Sequence, residues 1–212
     1  MFKSITMDDY IKICRHLFPH GFNTIMEVGA LDGKDSLLFK KEYPGAIVYC
    51  IEGNPDNYHD NIENLDGVIV PINAVVSNHI GYVDYYIKDI NGIHGIFDRG
   101  KQYGTKVKHL SCTTISEIGH QYNITSIDML KIDVEGATSE ILQGMEDLLY
   151  SVKIMHIETE SGELFKGQKC HEEVVDYLIL NNFYMTHMIS AEIEPNKLQH
   201  DSVWINRSIK NV

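Results

Sequence analysis

The chain has 212 residues, of which 43% are apolar and 23% are charged, a composition that excludes disordered and fibrous proteins. Acidic residues outnumber basic ones by 30 to 18, and the net charge is -12. Nucleic acids and anionic membranes are therefore not expected as main partners, because both normally require a basic face. No run approaches the roughly 20 apolar residues that span a bilayer. Asp8 and Asp9 interrupt the region where a signal peptide would be apolar, so we expect a cytoplasmic protein.

The N-terminal region predicts a helix that precedes the main domain. Residues 7–18 place their apolar side chains on one helical stripe, and Thr6 with Asp9 fits a capping box at its start. We predict that residues 1–22 form a helical segment packed on the core, or alternatively one that covers a cofactor pocket, and that residues 23–212 form the main domain. The four cysteines are widely spaced, which indicates reduced and mostly buried thiols.

The rest of the chain alternates short apolar runs with helical patterns. Strands are predicted at 24–28, 46–51, 68–76, 82–87, 127–132, 152–157, 184–189 and 202–206. Helices are predicted from 33 to about 44, over 137–149 and over 171–181, with a glycine-rich loop at 91–100. This alternation predicts an α/β fold with a mostly parallel sheet covered on both faces, closed by a C-terminal hairpin.

Four acidic residues fall at the predicted ends of strands: Glu27, Glu52, Asp133 and Glu158. In sheets of this kind, ligands bind beyond the carboxyl ends of the strands, near the point where the strand order switches. We therefore expect these acids to meet a ligand. Lys131 lies inside a predicted buried strand and requires a carboxylate partner or an exit to solvent.

The first strand is followed by a turn that contains Gly29 and Gly33. The spacing is not that of a dinucleotide fingerprint, and the turn is rich in acids, which are Glu27, Asp32 and Asp35. Such a turn suits a ligand with an amine and a sulfonium better than one with phosphates. Glu52, about 20 residues further on, is where a carboxylate would hold ribose hydroxyls. A plain turn with two glycines is the alternative interpretation.

The segment Leu130–Ala137, which reads LKIDVEGA, resembles the signature of the FkbM family of S-adenosylmethionine-dependent methyltransferases. Weaker matches follow the family order from about residue 24 to residue 160. They are EVGA at 27–30 followed by Gly33, IE at 51–52, NAVV at 73–76 followed by Gly81, and HIE at 156–158. The chain departs from the family pattern at Glu27, Leu31 and Thr138, and the change at Thr138 leaves substrate contacts on that helix open.

The resemblance implies a Rossmann-like class I methyltransferase fold, with a seven-stranded sheet and a reversed C-terminal hairpin. It implies S-adenosyl-L-methionine as cofactor and O-methylation of a hydroxyl, often on a sugar or a natural product. Carried over by position, Glu27, Gly29, Ala30 and Gly33 would line the methionine end of the cofactor. Glu52 would hold the ribose, Asn73 and Ala74 would lie near the adenine, and Asp133 and Glu135 would face the transferred methyl.

Methyl transfer to a hydroxyl requires a group that orients the hydroxyl and removes its proton. Asp133 is the leading candidate. His94, in a glycine-flanked loop, and His156 are alternatives, although we interpret His156 as a core residue. Asp133 and Glu158 could instead converge on Mg²⁺ or Ca²⁺, which would lower the pKa of the hydroxyl. The acids around Glu158 could also be a plain acidic loop.

The sequence therefore predicts an O-methyltransferase that acts on a hydroxyl of a carbohydrate or glycoconjugate. A lipid, a polyketide or another small metabolite is the alternative acceptor. Two other classes remain on the same fold: a nucleotide-binding oxidoreductase, which the missing third glycine disfavours, and a non-catalytic binding module. A homo-oligomer is compatible with the sequence.

Overall fold

The structure is a computed structural model that describes residues 5–104 and 106–209. It contains ten strands: β1 (Thr24–Val28), β2 (Ile47–Glu52), β3 (Val70–Asn73), β4 (Val75–Val76), β5 (Gly81–Ile87), β6 (Lys106–Thr113), β7 (Met129–Ile132), β8 (Ile154–Ser161), β9 (Phe183–Glu194) and β10 (Lys197–Asn206). The α-helices are α1 (Met7–Leu17), α2 (Lys34–Glu42), α3 (Pro55–Asn57), α4 (Ile115–Tyr122), α5 (Thr138–Gln143) and α6 (His171–Leu180). A π-helical turn at Tyr58–Ile62 and a 3-10 turn at Glu63–Leu65 extend α3.

Seven strands form one sheet in the order β3-β2-β1-β7-β8-β10-β9. The first five of these are parallel, and β10 pairs antiparallel with both β8 and β9. This confirms the predicted class I methyltransferase architecture with its C-terminal hairpin. The strand order reverses between β1 and β7, which places the topological switch point at their carboxyl ends.

The two faces of the sheet carry different helices because successive side chains on a strand point in opposite directions. One face, with Met26, Leu130 and Trp204, packs against α4, α5 and α6. The other face, with Ile25 and Met129, packs against α1 and α2. Each fully buried side chain of this kind contributes roughly 1.5–3 kcal/mol relative to an exposed one.

Helix α1 is held on the sheet by three buried side chains, Tyr10, Ile11 and Cys14. Thr6 caps it, since its hydroxyl accepts a hydrogen bond from the Asp9 amide at 3.2 Å, as the sequence predicts. The first four residues of the predicted segment 1–22 lie outside the described residues. The division into a segment and a main domain stays a prediction. In the structure, α1 packs in the same apolar cluster as one face of the sheet.

Several predicted boundaries are wrong. The run 68–76 is two strands, because the chain leaves the large sheet after Asn73 and β4 pairs with β6 in a separate three-stranded sheet. The segment 137–149 is the short helix α5 followed, after Gly144, by a 3-10 turn at Glu146–Ser151. Strand β8 continues past Glu158 to Ser161. Strand β6 and helix α4 have no counterpart in the sequence prediction.

All four cysteines are free, and three of them are buried. Within residues 5–104 and 106–209, no helix combines the length and apolar character needed to cross a membrane.

Candidate active site

A cavity of about 250 Å³ opens at the carboxyl ends of β1, β2 and β7, at the switch point of the sheet. Its walls include seven of the predicted site residues: Gly29, Glu52, Ala74, His94, Asp133, Glu135 and Glu158. The structure therefore brings together residues that lie more than 100 positions apart in the sequence. Parallel strands produce this arrangement because their carboxyl ends share one edge of the sheet.

The turn after β1 is shaped by Gly29, which has a φ of +84°. A Cβ at this position would lie 1.7 Å from the carbonyl oxygen of Asp133, so only glycine fits between the two strand ends. The amides of Gly29 and Ala30 both donate to the carbonyl of Ile51 at 3.0 Å. Gly33 is the N-cap of α2 and has a φ of +71°. Ala30 and Gly33 shape this turn but do not line the cavity.

Glu52 is the last residue of β2, and its carboxylate is held in a fixed orientation. One carboxylate oxygen accepts the Leu31 amide and the other accepts the Asn54 amide, both at 2.7 Å. Leu31 has a φ of +52°, an uncommon conformation for a residue with a side chain, and the bond to Glu52 supports it. Burial raises the pKa of Glu52, and the backbone hydrogen bonds oppose this shift. The result is an oriented acid on the cavity wall.

Asn73 and Ala74 lie at the end of β3, next to Glu52. The Asn73 side-chain amide donates to the carbonyl of Glu52 at 2.9 Å, and the Ala74 backbone amide donates to the same oxygen at 3.1 Å. Ala74 lines the cavity, whereas Asn73 lines a neighbouring depression. Asn73 therefore joins β2 to β3 where the cavity begins.

Glu27 does not line the cavity, because it lies one residue before the end of β1 and points to the α1 side of the sheet. It accepts from the Ser36 hydroxyl at 2.5 Å and from Lys131 Nζ at 3.0 Å. Burial raises the pKa of Glu27, and Lys131 partly offsets this. Lys131 also contacts Asp35 at 2.9 Å and Asp133 at 3.4 Å. Of the two predicted possibilities for Lys131, a carboxylate partner or an exit to solvent, the structure shows the carboxylate partners.

Lys131 remains charged although it is buried. Burial alone would lower the pKa of its amine, but the three surrounding carboxylates outweigh that effect and raise the pKa well above its ordinary value. Lys131 therefore fixes the position of Asp133, which is the first residue after β7.

Asp133, Glu135 and Glu158 bring carboxylate oxygens within 4.8 Å of one another. Burial and the charge of Asp133 raise the pKa of Glu135 well above its ordinary value, and the same causes raise that of Glu158. Arg99 approaches Glu135 at 3.5 Å, and the amide of Gln199 donates to Glu158. The arrangement can accept a proton, bind hydroxyl hydrogens or hold a hard cation.

His94 lines the same cavity, but both of its ring nitrogens have partners. Nδ1 accepts from the Lys88 amide at 3.0 Å, which assigns the ring proton to Nε2, and Nε2 lies 3.2 Å from Asn91 Oδ1. Burial lowers the pKa of His94. This geometry favours Asp133 over His94 as the proton acceptor.

The structure also places at the site residues that the sequence does not single out. Arg99 stacks on Tyr103 and Phe165, with its guanidinium carbon 5.1 and 5.3 Å from the two ring centroids. Asn57 and Ile96 line the cavity. Ile96 and Arg99 both lie in the glycine-rich loop at 91–100, and this composition is a weak signal for a loop that carries functional residues.

The comparisons with known proteins agree with this geometry. A family profile described as the methyltransferase FkbM domain matches residues 27–185. The chain belongs to the FkbM methyltransferase family. It is accordingly an S-adenosylmethionine-dependent O-methyltransferase, which removes the oxidoreductase and the non-catalytic module from the candidates.

Two curated relatives are similar over part of the chain. The 2-O-methyltransferase NoeI of Sinorhizobium fredii is 23% identical over 171 residues, which is 73% of this chain and 70% of NoeI. The hexuronic acid methyltransferase AglP of Haloferax volcanii is 30% identical over 122 residues, which is 55% of this chain and 48% of AglP. The chain therefore matches only about half the length of AglP.

Among solved structures, TrmK of M. capricolum bound to S-adenosylhomocysteine superposes with a TM-score of 0.54. It is 11% identical and the match covers 93% of this chain and 67% of TrmK, so the similarity is one of fold.

Proposed function

We propose that this methyltransferase modifies a hydroxyl of a carbohydrate or glycoconjugate. The observation that carries the proposal is the position of Asp133, an acid at the end of β7 on the wall of the cavity and in contact with Lys131. The name of one curated relative supports a sugar acceptor, since it is a hexuronic acid methyltransferase.

The cavity has features that suit S-adenosylmethionine. Glu52 offers an oriented carboxylate for ribose hydroxyls, and Ala74 provides an apolar wall for the adenine beside Asn73. Gly29 lets the backbone of the turn approach a ligand closely, while Ala30 and Gly33 hold the shape of that turn. The carboxylate of Glu27 is buried beneath the turn and pairs with Lys131. Glu27 would therefore support binding of the methionine end indirectly, by holding Lys131 in position.

The bound cofactor supplies an electrophilic methyl group on a sulfonium sulfur. In our mechanism, Asp133 accepts a hydrogen bond from the acceptor hydroxyl, orients its oxygen towards the methyl and takes the proton as the new bond forms. Glu135 and Glu158 hold neighbouring hydroxyls of the acceptor. His94 closes the cavity wall and excludes water.

As the alternative to a base at Asp133, we propose that Asp133 and Glu158 bind a divalent cation, Mg²⁺ or Ca²⁺. The convergence of three carboxylates fits a hard cation that prefers oxygen ligands. Bound there, the cation would lower the pKa of the acceptor hydroxyl. Unchanged methyl transfer after treatment with a chelator would exclude a metal requirement.

The function can be tested by labelled methyl transfer to a panel of monosaccharides, glycans, lipids and polyketides, followed by location of the modified oxygen. We expect transfer to a sugar hydroxyl. Transfer only to a lipid or a polyketide would contradict the sugar assignment.

The role of Asp133 can be tested with Asp133→Asn, which removes the proton acceptor without changing the size of the side chain. We expect a loss of turnover of at least about 100-fold, the usual contribution of a general base, with the affinity for S-adenosylhomocysteine retained. Asp147→Asn is the matched control, because Asp147 is exposed on the 3-10 turn after α5. Equal turnover in the two variants would contradict the role of Asp133.

A further inference from the structure

The α1 face of the sheet changes from apolar to charged towards the carboxyl ends of its strands. Residues that lie opposite one another on neighbouring strands form three successive rows across this face. Each row contains one residue from each of β1, β7, β8 and β10, or from the turns that follow these strands. The rows are Ile25, Met129, Ile154 and Ile205; then Glu27, Lys131, His156 and Val203; then Gly29, Asp133, Glu158 and Asp201. The last two rows place ionisable side chains between the sheet and the start of α1.

A cleft of about 560 Å³ lies over these charged rows, and we call it the α1-side cleft. Its walls include Ile5 and Met7 at the start of α1, Lys131 and Asp133 at the end of β7, and His156 and Asp201 on β8 and β10. Asp133 and Glu158 line this cleft and also the cofactor cavity. The two spaces therefore meet at the acid that we propose as the proton acceptor.

His156 is the second observation that points to a ligand. The residue is 4% exposed, and neither ring nitrogen has a hydrogen-bond partner among residues 5–104 and 106–209. Its Nε2 lies 3.4 Å from Asp201 Oδ1, and its ring centroid lies 5.3 Å from that of Tyr10. Asp201 is thus within ion-pair distance of one ring nitrogen but makes no hydrogen bond to it, and an unsatisfied buried polar group is costly, so His156 on the wall of the cleft is expected to bind a polar ligand there.

The charge of the α1-side cleft restricts that ligand. Its described wall residues include four carboxylates and two permanent cations. The carboxylates are those of Asp35, Asp133, Glu158 and Asp201, and the cations are Lys131 and Arg99. Lys131 is already shared among Glu27, Asp35 and Asp133. Arg99 faces Glu135. An acidic ligand would add a like charge to this wall, whereas neutral hydroxyls and amines can donate hydrogen bonds to the carboxylates.

We propose that the α1-side cleft binds the acceptor and selects a sugar ring without an acidic group, with His156 and Asp201 as specificity-determining residues that contact the ring. The proposal rests on the proposed function and specifies its substrate class. The side chains of Ile5 and Met7 provide apolar surface for the C–H face of the ring, opposite the acids. On this basis the chain differs in acceptor from a hexuronic acid methyltransferase.

The first test compares three methyl glycosides that differ in one group: methyl glucoside, methyl glucosaminide and methyl glucuronide. Their binding to the protein loaded with S-adenosylhomocysteine is measured by saturation-transfer NMR. We expect the glucoside and the glucosaminide to bind at least about tenfold more tightly than the glucuronide, equivalent to about 1.4 kcal/mol. Tighter binding of the glucuronide, or no binding of any of the three, would overturn the proposal.

The second test uses His156→Gln and Asp201→Asn in the same binding assay. We expect each to weaken binding of the favoured glycoside at least about fivefold, with the affinity for S-adenosylhomocysteine unchanged, which also shows that the variant is folded. His200→Gln is the matched control, because His200 is a buried histidine of β10 outside the cleft. Unchanged glycoside binding in both cleft variants would overturn the proposal.

These measurements separate the proposal from the proposed function. Glycoside binding that depends on His156, without methyl transfer to any sugar, would support the cleft and contradict the sugar O-methylation. Methyl transfer to a sugar that is insensitive to both cleft variants would support the function and overturn the cleft.

Discussion

Lys131 is the residue on which the charge balance beneath the active site depends. It is 5% exposed and lies between the carboxylates of Glu27, Asp35 and Asp133. Two charges buried together cost desolvation energy, so the cluster adds little net stability compared with an apolar pair. Removing only the cation is different, because it leaves the buried carboxylate of Glu27 without its counter-charge, with the Ser36 hydroxyl as its remaining hydrogen-bond partner.

We therefore predict that Lys131→Met lowers the free energy of unfolding by about 3–5 kcal/mol, measured by urea denaturation. The double variant Glu27→Gln/Lys131→Met should recover much of this loss, since it removes both charges. Lys12→Met is the control, because Lys12 pairs with Asp9 on the surface of α1 and should matter little. A loss no larger than that of Lys12→Met would contradict the prediction.

Among the site residues, those placed by strand ends could be predicted from sequence. Glu52 and Asp133 follow buried apolar runs, so their position at the edge of the sheet is fixed by the pattern alone. Glu27 precedes the last residue of β1, and this shift of one position turns its side chain to the α1 face. The sequence predicts His156 as a core residue, and its side chain is indeed buried, but a sequence does not show that a cleft opens over that part of the strand.

At the level of elements, the accuracy of the sequence prediction follows burial. Strands β1, β2 and β7 are buried on both faces, and their continuous apolar runs locate them within two residues. Strand β6 was missed because it belongs to the small sheet, where only Cys112 of its eight residues is buried. The hairpin extends further than predicted because β9 mixes polar residues into its distal half.

The contact between the hairpin and α6 contains a pair of histidines. His200 on β10 and His171 at the start of α6 have ring centroids 4.2 Å apart. The nitrogens of His200 contact the hydroxyls of Ser190 and Ser161 at 2.7 and 2.8 Å. Burial lowers the pKa of both histidines below the ordinary value of 6.5, and His171 lowers that of His200 further.

This pair predicts a loss of stability in mild acid. In the unfolded chain both histidines have the ordinary pKa of 6.5, so below pH 6.5 the unfolded chain binds more protons than the folded one. The contribution of the pair to the free energy of unfolding is therefore fully present above pH 6.5. It is lost as the pH falls through the lower pKa values that the histidines have in the folded protein. Thermal unfolding between about pH 7.5 and 5.5 should therefore show a smaller acid-induced loss in His200→Gln than in the wild type.

The control for this measurement is His187→Gln, a histidine on β9 of the same hairpin that is exposed to solvent. It should keep the pH dependence of the wild type. An identical pH dependence in His200→Gln and the wild type would show that the histidine pair does not act in this way.

At the level of the whole molecule, the α1-side cleft lies between two layers, the sheet and the N-terminal segment, which the sequence predicts as separate parts. The sheet supplies the acids at its carboxyl edge, and the N-terminal segment supplies the opposite wall of the α1-side cleft. Of the predicted alternatives for residues 1–22, packing on the core fits α1, whereas the described residues at its start border the α1-side cleft and do not line the cofactor cavity. Helix α1 packs on the sheet, and the residues at its start border the cleft.

The two roles lead to different expectations for a chain that begins at residue 23, measured by urea unfolding and by calorimetry with S-adenosylhomocysteine. If the segment only covers the cleft, the shortened chain should unfold cooperatively and bind the cofactor product. If it completes the core, neither property should survive. The full chain is the reference for both measurements.

We predict loss of the fold, because removal of the segment exposes the sheet face under Tyr10, Ile11, Cys14 and Phe18. At roughly 1.5–3 kcal/mol for each buried side chain, these four contribute on the order of 6–12 kcal/mol. That is comparable to the entire stability of a typical domain, about 5–15 kcal/mol. A shortened chain that unfolds cooperatively and binds S-adenosylhomocysteine would show instead that residues 1–22 are a separable cover, and that the sheet is stable without them.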